Sequence, residues 1–286
     1  MNFDELFPDN REEGKTLVRQ CQLVMLRMLK ILDYLCTKHK IQYFLVGGSL
    51  LGAIRHQGFI PWDDDLDVGM TRENYEKFVK YAVSELPEDI FFQSEETDPH
   101  FPAFDYAEAK LRDKYSNYPR KNNKWHEGLQ IDIFVYDRAF LPYNILIIVE
   151  NVILNYCSKN NKAKSRILKW ICKQSPIRLI YASGYLKKIG MWKFGANYIK
   201  EEELLTLIQK KFEEIEVYIP SGWHNCLKRQ YGNYMQLPPI KKRNAHFSAE
   251  EHPDPFKPCQ HDKILFWESR RVKVTNSIAE KINSKF

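Results

Sequence analysis

Between residues 44 and 70 an apolar stretch runs into Gly47-Gly48-Ser49 and then, after Pro61-Trp62, into Asp63-Asp64-Asp65-Leu66-Asp67-Val68. No other segment restricts the fold as sharply. Side chains alternate across a strand, so Asp65 and Asp67 share one face. Two adjacent carboxylates repel, and burying them without partners is costly. A divalent cation is the usual remedy, and a phosphate bridging to that cation is the usual reason to hold one. The segment therefore points to metal-dependent chemistry at a phosphate.

The flanking pattern is α/β. A helix is expected from about Glu13 to Lys38, where Leu17, Cys21, Val24, Met25, Met28, Leu32 and Leu35 recur at helical spacing. A strand follows at Gln42–Val46, ended by the two glycines. Ser49 is expected to N-cap a short helix through Leu50, Leu51 and Ile54. Gly48, Ser49 and the first N–H groups of that helix would then face phosphate oxygens. The acidic strand is expected at about Asp65–Met70, with Thr71 capping a second helix. Further strands are expected near Ile90–Gln93, Phe104–Leu111 and Leu129–Val135. Asp132 stands among bulky apolar residues of the last one, which is unusual for an Asp without a task. If that strand lies beside the one carrying Asp65 and Asp67, the three acids meet and can hold one or two Mg²⁺ (or Mn²⁺) ions. Such a set suits phosphoryl or nucleotidyl transfer, where catalysis is mostly positioning and charge neutralisation. The plainer alternatives are a solvated edge strand for Asp65 and Asp67, and a capping role for Asp132. Asp64 reads as part of a polar turn.

With 286 residues, 44% of them hydrophobic, the chain can bury a sizeable core. Six cysteines without a CxxC pair, and an N-terminus carrying Asp4, Glu5 and Asp9, point to a reduced, cytoplasmic setting with no cysteine-based zinc site. No run of about 18 apolar residues suggests a membrane-spanning helix. The net charge of +6 hides an asymmetry: residues 151–200 hold eleven Lys or Arg and no Asp or Glu. The segment from about Tyr143 to Tyr218 reads as mostly helical, with Lys162, Arg166, Lys169 and Lys173 on one face and Trp170 beside it. A basic amphipathic helix of this kind suits an anionic membrane surface; an ordinary solvated face is the alternative. No recognition motif supports nucleic-acid binding. The expected organisation is a catalytic core over 1–140, a helical basic insert over 141–218, and a segment over 219–286 that completes the core and the site. Its tail suggests a strand at Lys263–Trp267 and a final helix.

The string YFLVGGSLLGAIRHQGFIPWDDDLDVGMTRENYEKF is far more specific than its parts. Supporting pieces follow in Ala109-Lys110-Leu111-Arg112, in Gly128 to Asp137, and in YGNYMQLPPIKKRNAH ending at His246. Together they resemble the LicD family of the nucleotidyltransferase superfamily. Its bacterial members transfer phosphocholine, and its eukaryotic relatives include fukutin-related ribitol-phosphate transferases. The resemblance runs in order over residues 12–247, least well over 140–205.

The resemblance implies a nucleotidyltransferase-like mixed sheet with flanking helices. It implies a CDP-activated donor, CDP-choline first, from which a hydroxyl of a lipid-linked glycan (a teichoic acid, lipopolysaccharide or capsule precursor) takes phosphocholine and releases CMP. Asp65 and Asp67 would bind Mg²⁺, and Asp132 would complete the metal site or accept the hydroxyl proton. Asp63 is a further candidate for either task. Arg55, His56, Lys110 and Arg112 would neutralise phosphate charge. Trp62 and Tyr231 would offer cation–π faces to choline, and Arg243 and His246 are further substrate candidates. The implied place of work is the cytoplasmic face of the membrane. Alternatives are another head group (phosphoethanolamine or a polyol phosphate), nucleotidyl transfer from a nucleoside triphosphate, and an inactive nucleotide-binding scaffold. The complete acidic set argues against the last.

Overall fold

In the computed structural model, which describes residues 2–98, 100–101, 107–119, 125–139, 180–183, 198–247 and 252–259, the apolar periodicity after residue 16 becomes helix α1 (Leu17–Lys38). The Thr16 hydroxyl accepts the Arg19 N–H, satisfying one of the donors a helix start leaves free. The helix starts later than its periodicity suggests, because Arg11–Glu13 form a separate 3₁₀ turn. Along α1 the apolar stripe, with Cys21, Met25, Leu32 and Leu35 at 0% exposure, packs onto the central sheet.

The remaining elements follow as β1 (Phe44–Leu45), α2 (Gly47–Arg55), β2 (Asp67–Thr71) and α3 (Arg72–Lys77), which runs on as a π turn to Ala82. Then come β3 (Ile90–Ser94), β4 (Ala109–Asp113), β5 (Gln130–Ala139), β6 (Ile180–Ser183), β7 (Tyr198–Lys200), α4 (Glu201–Leu204), β8 (Leu207–Phe212), β9 (Ile215–Pro220) and α5 (Trp223–Tyr231). Thr71 caps α3 as expected, its hydroxyl accepting from the Asn74 N–H.

The sheet is mixed, in the order β1-β2-β5-β4-β3, with β6 and β7 added beside β5. β5 is long enough to hold three partners. Its first half pairs antiparallel with β4, its middle pairs parallel with β2, and its end pairs antiparallel with β6. Antiparallel strands suit short connections, whereas the parallel β2–β5 pair needs a crossover, here supplied by α3, β3 and β4. That single parallel pairing brings two distant acidic segments together.

Two expectations change. The helical reading of 143–218 fails over 207–220, where β8 and β9 form an antiparallel hairpin packed beside β1. The turn residue Glu213 has φ +55°, a conformation usually signalled by Gly or Asn, and neither is present. Tertiary contacts hold it instead: its carboxylate accepts from both Arg19 Nη atoms, and its N–H donates to the Gln57 carbonyl. Strands β6 and β7 are also strands within the stretch expected to be helical, and they extend the core sheet. The basic face of Lys162, Arg166, Lys169 and Lys173, the strand at Lys263–Trp267 and the final helix lie outside the described residues. Within the segment over 219–286, residues 223–231 form α5.

Candidate active site

The site begins with strand alternation. Leu66, Val68 and Met70 are at 0% exposure on the core side, which turns Asp65 and Asp67 to the other face. The parallel register then sets Asp67 directly beside Asp132, and the antiparallel register sets Lys110 beside Asp132 on the far side. The Lys110 ammonium donates to Asp132 Oδ1 at 2.8 Å. Asp65 precedes the strand proper, and Asp63 lies one alternation further back.

Helix α2 closes this face, and its first residues must be small. Gly47 has φ +56°, and a Cβ there would lie 3.0 Å from Asp67 Oδ2. A Cβ on Gly48 would lie 2.9 Å from Asp63 Oδ2. The glycines therefore admit two carboxylates to the positive end of a helix, where negative charge is stabilised. They do so from inside the helix: the N-cap is Val46, not Ser49. Ser49 is buried in the first turn, and its hydroxyl accepts the Asp67 N–H at 2.8 Å, tying α2 to β2.

Crowding shows in the protonation of the acids. Burial first, then the Asp65 charge, pushes the Asp63 carboxyl up to about 8, and Asp63 and Asp65 share a hydrogen bond. Burial also lifts Asp65, against the pull of His246. It lifts Asp67 well above the usual carboxylate range, helped by the charges of Asp65, Asp132 and Asp63. Carboxylates this close hold protons unless a cation replaces them. Among the described residues one grouping brings ligand atoms within 4.8 Å of one another: Asp63, Asp65 and His246. Asp67 and Asp132, the other acids expected at the metal, border the same centre, Asp132 already carrying the Lys110 ammonium. A set made mainly of carboxylate oxygens fits a divalent cation.

The residue missing from the sequence reading is Asp64. It meets the same His246 Nδ1 that lies 3.7 Å from Asp63 and from Asp65, is 5% exposed, and accepts from the His246 backbone N–H (2.7 Å), His246 Nδ1 (3.0 Å) and the Tyr118 hydroxyl (3.3 Å). Burial opposes its charge, but the His246 hydrogen bonds prevail and keep its carboxyl below the usual range. Reciprocally, the bond to Asp64 raises the His246 imidazole to about 9. The available signal was the unbroken Asp63-Asp64-Asp65 run, whose three carboxylates cannot crowd together without a shared partner.

A positive rim flanks the acids. Arg55 donates through Nε to His56 Nε2 (2.9 Å) and through Nη1 to the Tyr234 carbonyl (2.8 Å). Burial first, then Arg55, lowers the His56 pKa, so the ring accepts this bond as a neutral imidazole. Arg243 lies 5.4 Å over the Trp62 ring and donates to the Pro238 carbonyl. The two guanidiniums sense each other, since burial and then the Arg243 charge lower the Arg55 pKa. The Tyr231 hydroxyl lies near Gly47, where burial and the charges of Asp67, Asp63 and Asp65 push it up. Arg112 is the exception among the expected cations. It is 5% exposed and donates to Gln93 Oε1 and the Gly128 carbonyl, inside the protein.

Residues 40–159 match the family described as LicD/FKTN/FKRP, nucleotidyltransferase domain. Over 264 residues the chain is 30% identical to the lipopolysaccharide cholinephosphotransferase LicD of Haemophilus influenzae, covering 82% of this chain and 98% of that protein. It is 35% identical to an uncharacterised protein of Rickettsia prowazekii over 80% of this chain and 59% of the relative. A 34-residue stretch is 56% identical to the ribitol 5-phosphate transferase FKRP of mouse and human, 12% of this chain and 7% of theirs. Near-complete coverage of the Haemophilus protein, together with the family match across the acidic strands, establishes that this chain belongs to the LicD family.

Proposed function

We propose that the protein transfers phosphocholine from CDP-choline to a hydroxyl of a lipid-linked cell-surface glycan precursor and releases CMP. The observation that carries this reading is the pairing of Asp67 with Asp132 across a parallel strand pair, with Asp63 and Asp67 against the start of α2. Asp63, Asp65, Asp67 and, at its edge, Asp132 would hold Mg²⁺, with Mn²⁺ as a substitute. When bound, the cation supplies charge neutralisation for the diphosphate and the departing CMP. Arg55 and Arg243 receive phosphate oxygens at the rim. Asp132 takes the acceptor hydroxyl proton, its geometry fixed by Lys110. Asp64 acts by holding His246 beside Asp63 and Asp65. Work at the cytoplasmic face of the membrane, with the basic block over 159–200 meeting anionic lipid, belongs to the same proposal.

A second reading, transfer of another CDP-linked group such as phosphoethanolamine or a polyol phosphate, draws on one contact. The Arg243 guanidinium already covers a face of Trp62, so that face is not open to a trimethylammonium group. A thermal-shift panel of CDP-choline, CDP-ethanolamine, CDP-ribitol and CTP with Mg²⁺ separates these readings, because a ligand of the folded state stabilises by mass action. CDP-choline should give the largest shift. A larger shift with CDP-ribitol would move the assignment to the polyol, and one with CTP alone would replace it with nucleotidyl transfer.

A further inference from the structure

Ten large apolar residues are exposed among the described residues, and four of them, Tyr231, Met235, Leu237 and Ile240, fall within ten positions. Tyr231 belongs to the site. The other three stand 56%, 44% and 79% exposed on the segment that follows α5. This segment is ordered. The Tyr234 side chain anchors one end, 8% exposed with its hydroxyl 2.6 Å from His224 Nδ1. The bond from Arg243 Nε to the Pro238 carbonyl anchors the other. Between them the Gln236 N–H donates to the Asn233 carbonyl, the Lys242 N–H donates to the Pro239 carbonyl, and Pro238-Pro239 restrict the backbone. A braced loop that holds three aliphatic side chains in water marks a surface meant to be covered.

Charge identifies the cover. No Asp or Glu occurs between Glu216 and Glu250, while Lys228, Arg229, Lys241, Lys242 and Arg243 do. Arg229 and Arg243 have partners within the protein, whereas Lys241 and Lys242 are exposed beside Ile240. Protruding aliphatic tips with lysines at their base fit an anionic bilayer, where the tips enter the headgroup region and the ammoniums meet lipid phosphates. Nucleic acid would call for aromatic or guanidinium faces along a groove instead.

We infer that the loop over residues 235–242 is a membrane-docking lip: Met235, Leu237 and Ile240 enter an anionic lipid surface while Lys241 and Lys242 contact its headgroups. The loop borders the acidic centre, because Arg55 holds the Tyr234 carbonyl and Arg243 lies on Trp62. Docking through it sets the mouth of the site at the lipid surface. Its use in catalysis rests on the lipid-linked acceptor proposed above; the docking itself does not. In sequence the lip is distinct from the basic block over 159–200.

The test is co-sedimentation of the full chain with vesicles of phosphatidylcholine alone or with 30 mol% phosphatidylglycerol, a fraction on the order of that in anionic leaflets. Binding should require the anionic lipid and weaken with salt. Leu237→Ser/Ile240→Ser and Lys241→Glu/Lys242→Glu should each reduce it at least about tenfold, since each basic contact near such a surface is worth about fivefold. Circular dichroism melting confirms that both variants fold. Absence of wild-type binding, or undiminished binding by both variants, overturns the proposal. So does a shift from dimer to monomer in gel filtration on changing Leu237 and Ile240, which would assign the patch to a second copy.

Discussion

Between α4 and α5, Glu203 is 4% exposed, and Arg229 grips both its oxygens, at 2.5 and 2.6 Å. Burial alone would raise its pKa, yet the Arg229 bond holds it below the usual range. Around Gly47 the arrangement is opposite. Asp63, Asp65, Asp67 and Asp132 face one lysine and one exposed histidine, and the first three are pushed up. Arg11 repeats the first pattern: it binds Asp9 and Asp113 and donates to the Tyr115 and Pro255 carbonyls. Burial still raises Asp113 there, but a guanidinium stands against it. At Glu203 and Asp113 an arginine fork accompanies a carboxylate that only has to be buried. The acidic cluster lacks that remedy, and a bound cation would supply it.

The sharpest way to break this comparison is to neutralise one acid on each side. Asp67→Asn should reduce turnover at least about 10³-fold, the scale on which preorganised charge acts in catalysis. It should leave the melting temperature of the metal-free protein unchanged or higher, because it removes repulsion. Arg229→Ala should do the reverse to the fold, destabilising it by about 3–5 kcal/mol in urea titration, because it strands a buried carboxylate. If Asp67→Asn unfolds the protein and Arg229→Ala does not, the distinction between the two regions collapses.

Protonation gives a finer test. Asp63 is raised to about 8 and His246 to about 9, both above their unfolded values. Each contributes stability that is present at low pH and lost as pH rises, over about 4–8 for the acid and 6.5–9 for the histidine. The metal-free melting temperature should therefore fall from pH 6 to 9. Mg²⁺ should flatten that slope and, near pH 7, release protons, seen by calorimetry in buffers of different ionisation enthalpy. A flat metal-free profile would contradict the crowding of the acids. The smallest effect expected is from Gly48→Ala. The new Cβ meets Asp63 Oδ2, so Mg²⁺ affinity should drop about tenfold, with a stability loss of about 1 kcal/mol or less.

Much of this site was legible because strand alternation is a rigid rule. Asp65, Asp67 and Asp132 could be assigned faces before any strand partner was known, and the apolar surroundings of Asp132 marked it as needing a reason. Other features had no local signal. Ser49 was read as a cap because Gly-Gly normally ends an element, yet here close carboxylates draw both glycines into the helix. The β8–β9 hairpin was hidden by Lys and Glu, which favour helices, and by a turn whose left-handed residue is Glu213. Only Arg19 and Gln57, distant in sequence, make that turn affordable. Arg112 reads like Lys110 in the strand, and its burial depends on Gln93 from a neighbouring strand.

The most direct test of the central claim is product analysis after incubating the purified protein with CDP-choline, Mg²⁺ and a lipid-linked glycan acceptor. CMP should appear in equal amount to the phosphocholine transferred, and both should be lost on chelating the metal and in Asp65→Asn. Undiminished CMP release by Asp65→Asn, or pyrophosphate from CTP with no CMP from CDP-choline, would contradict it.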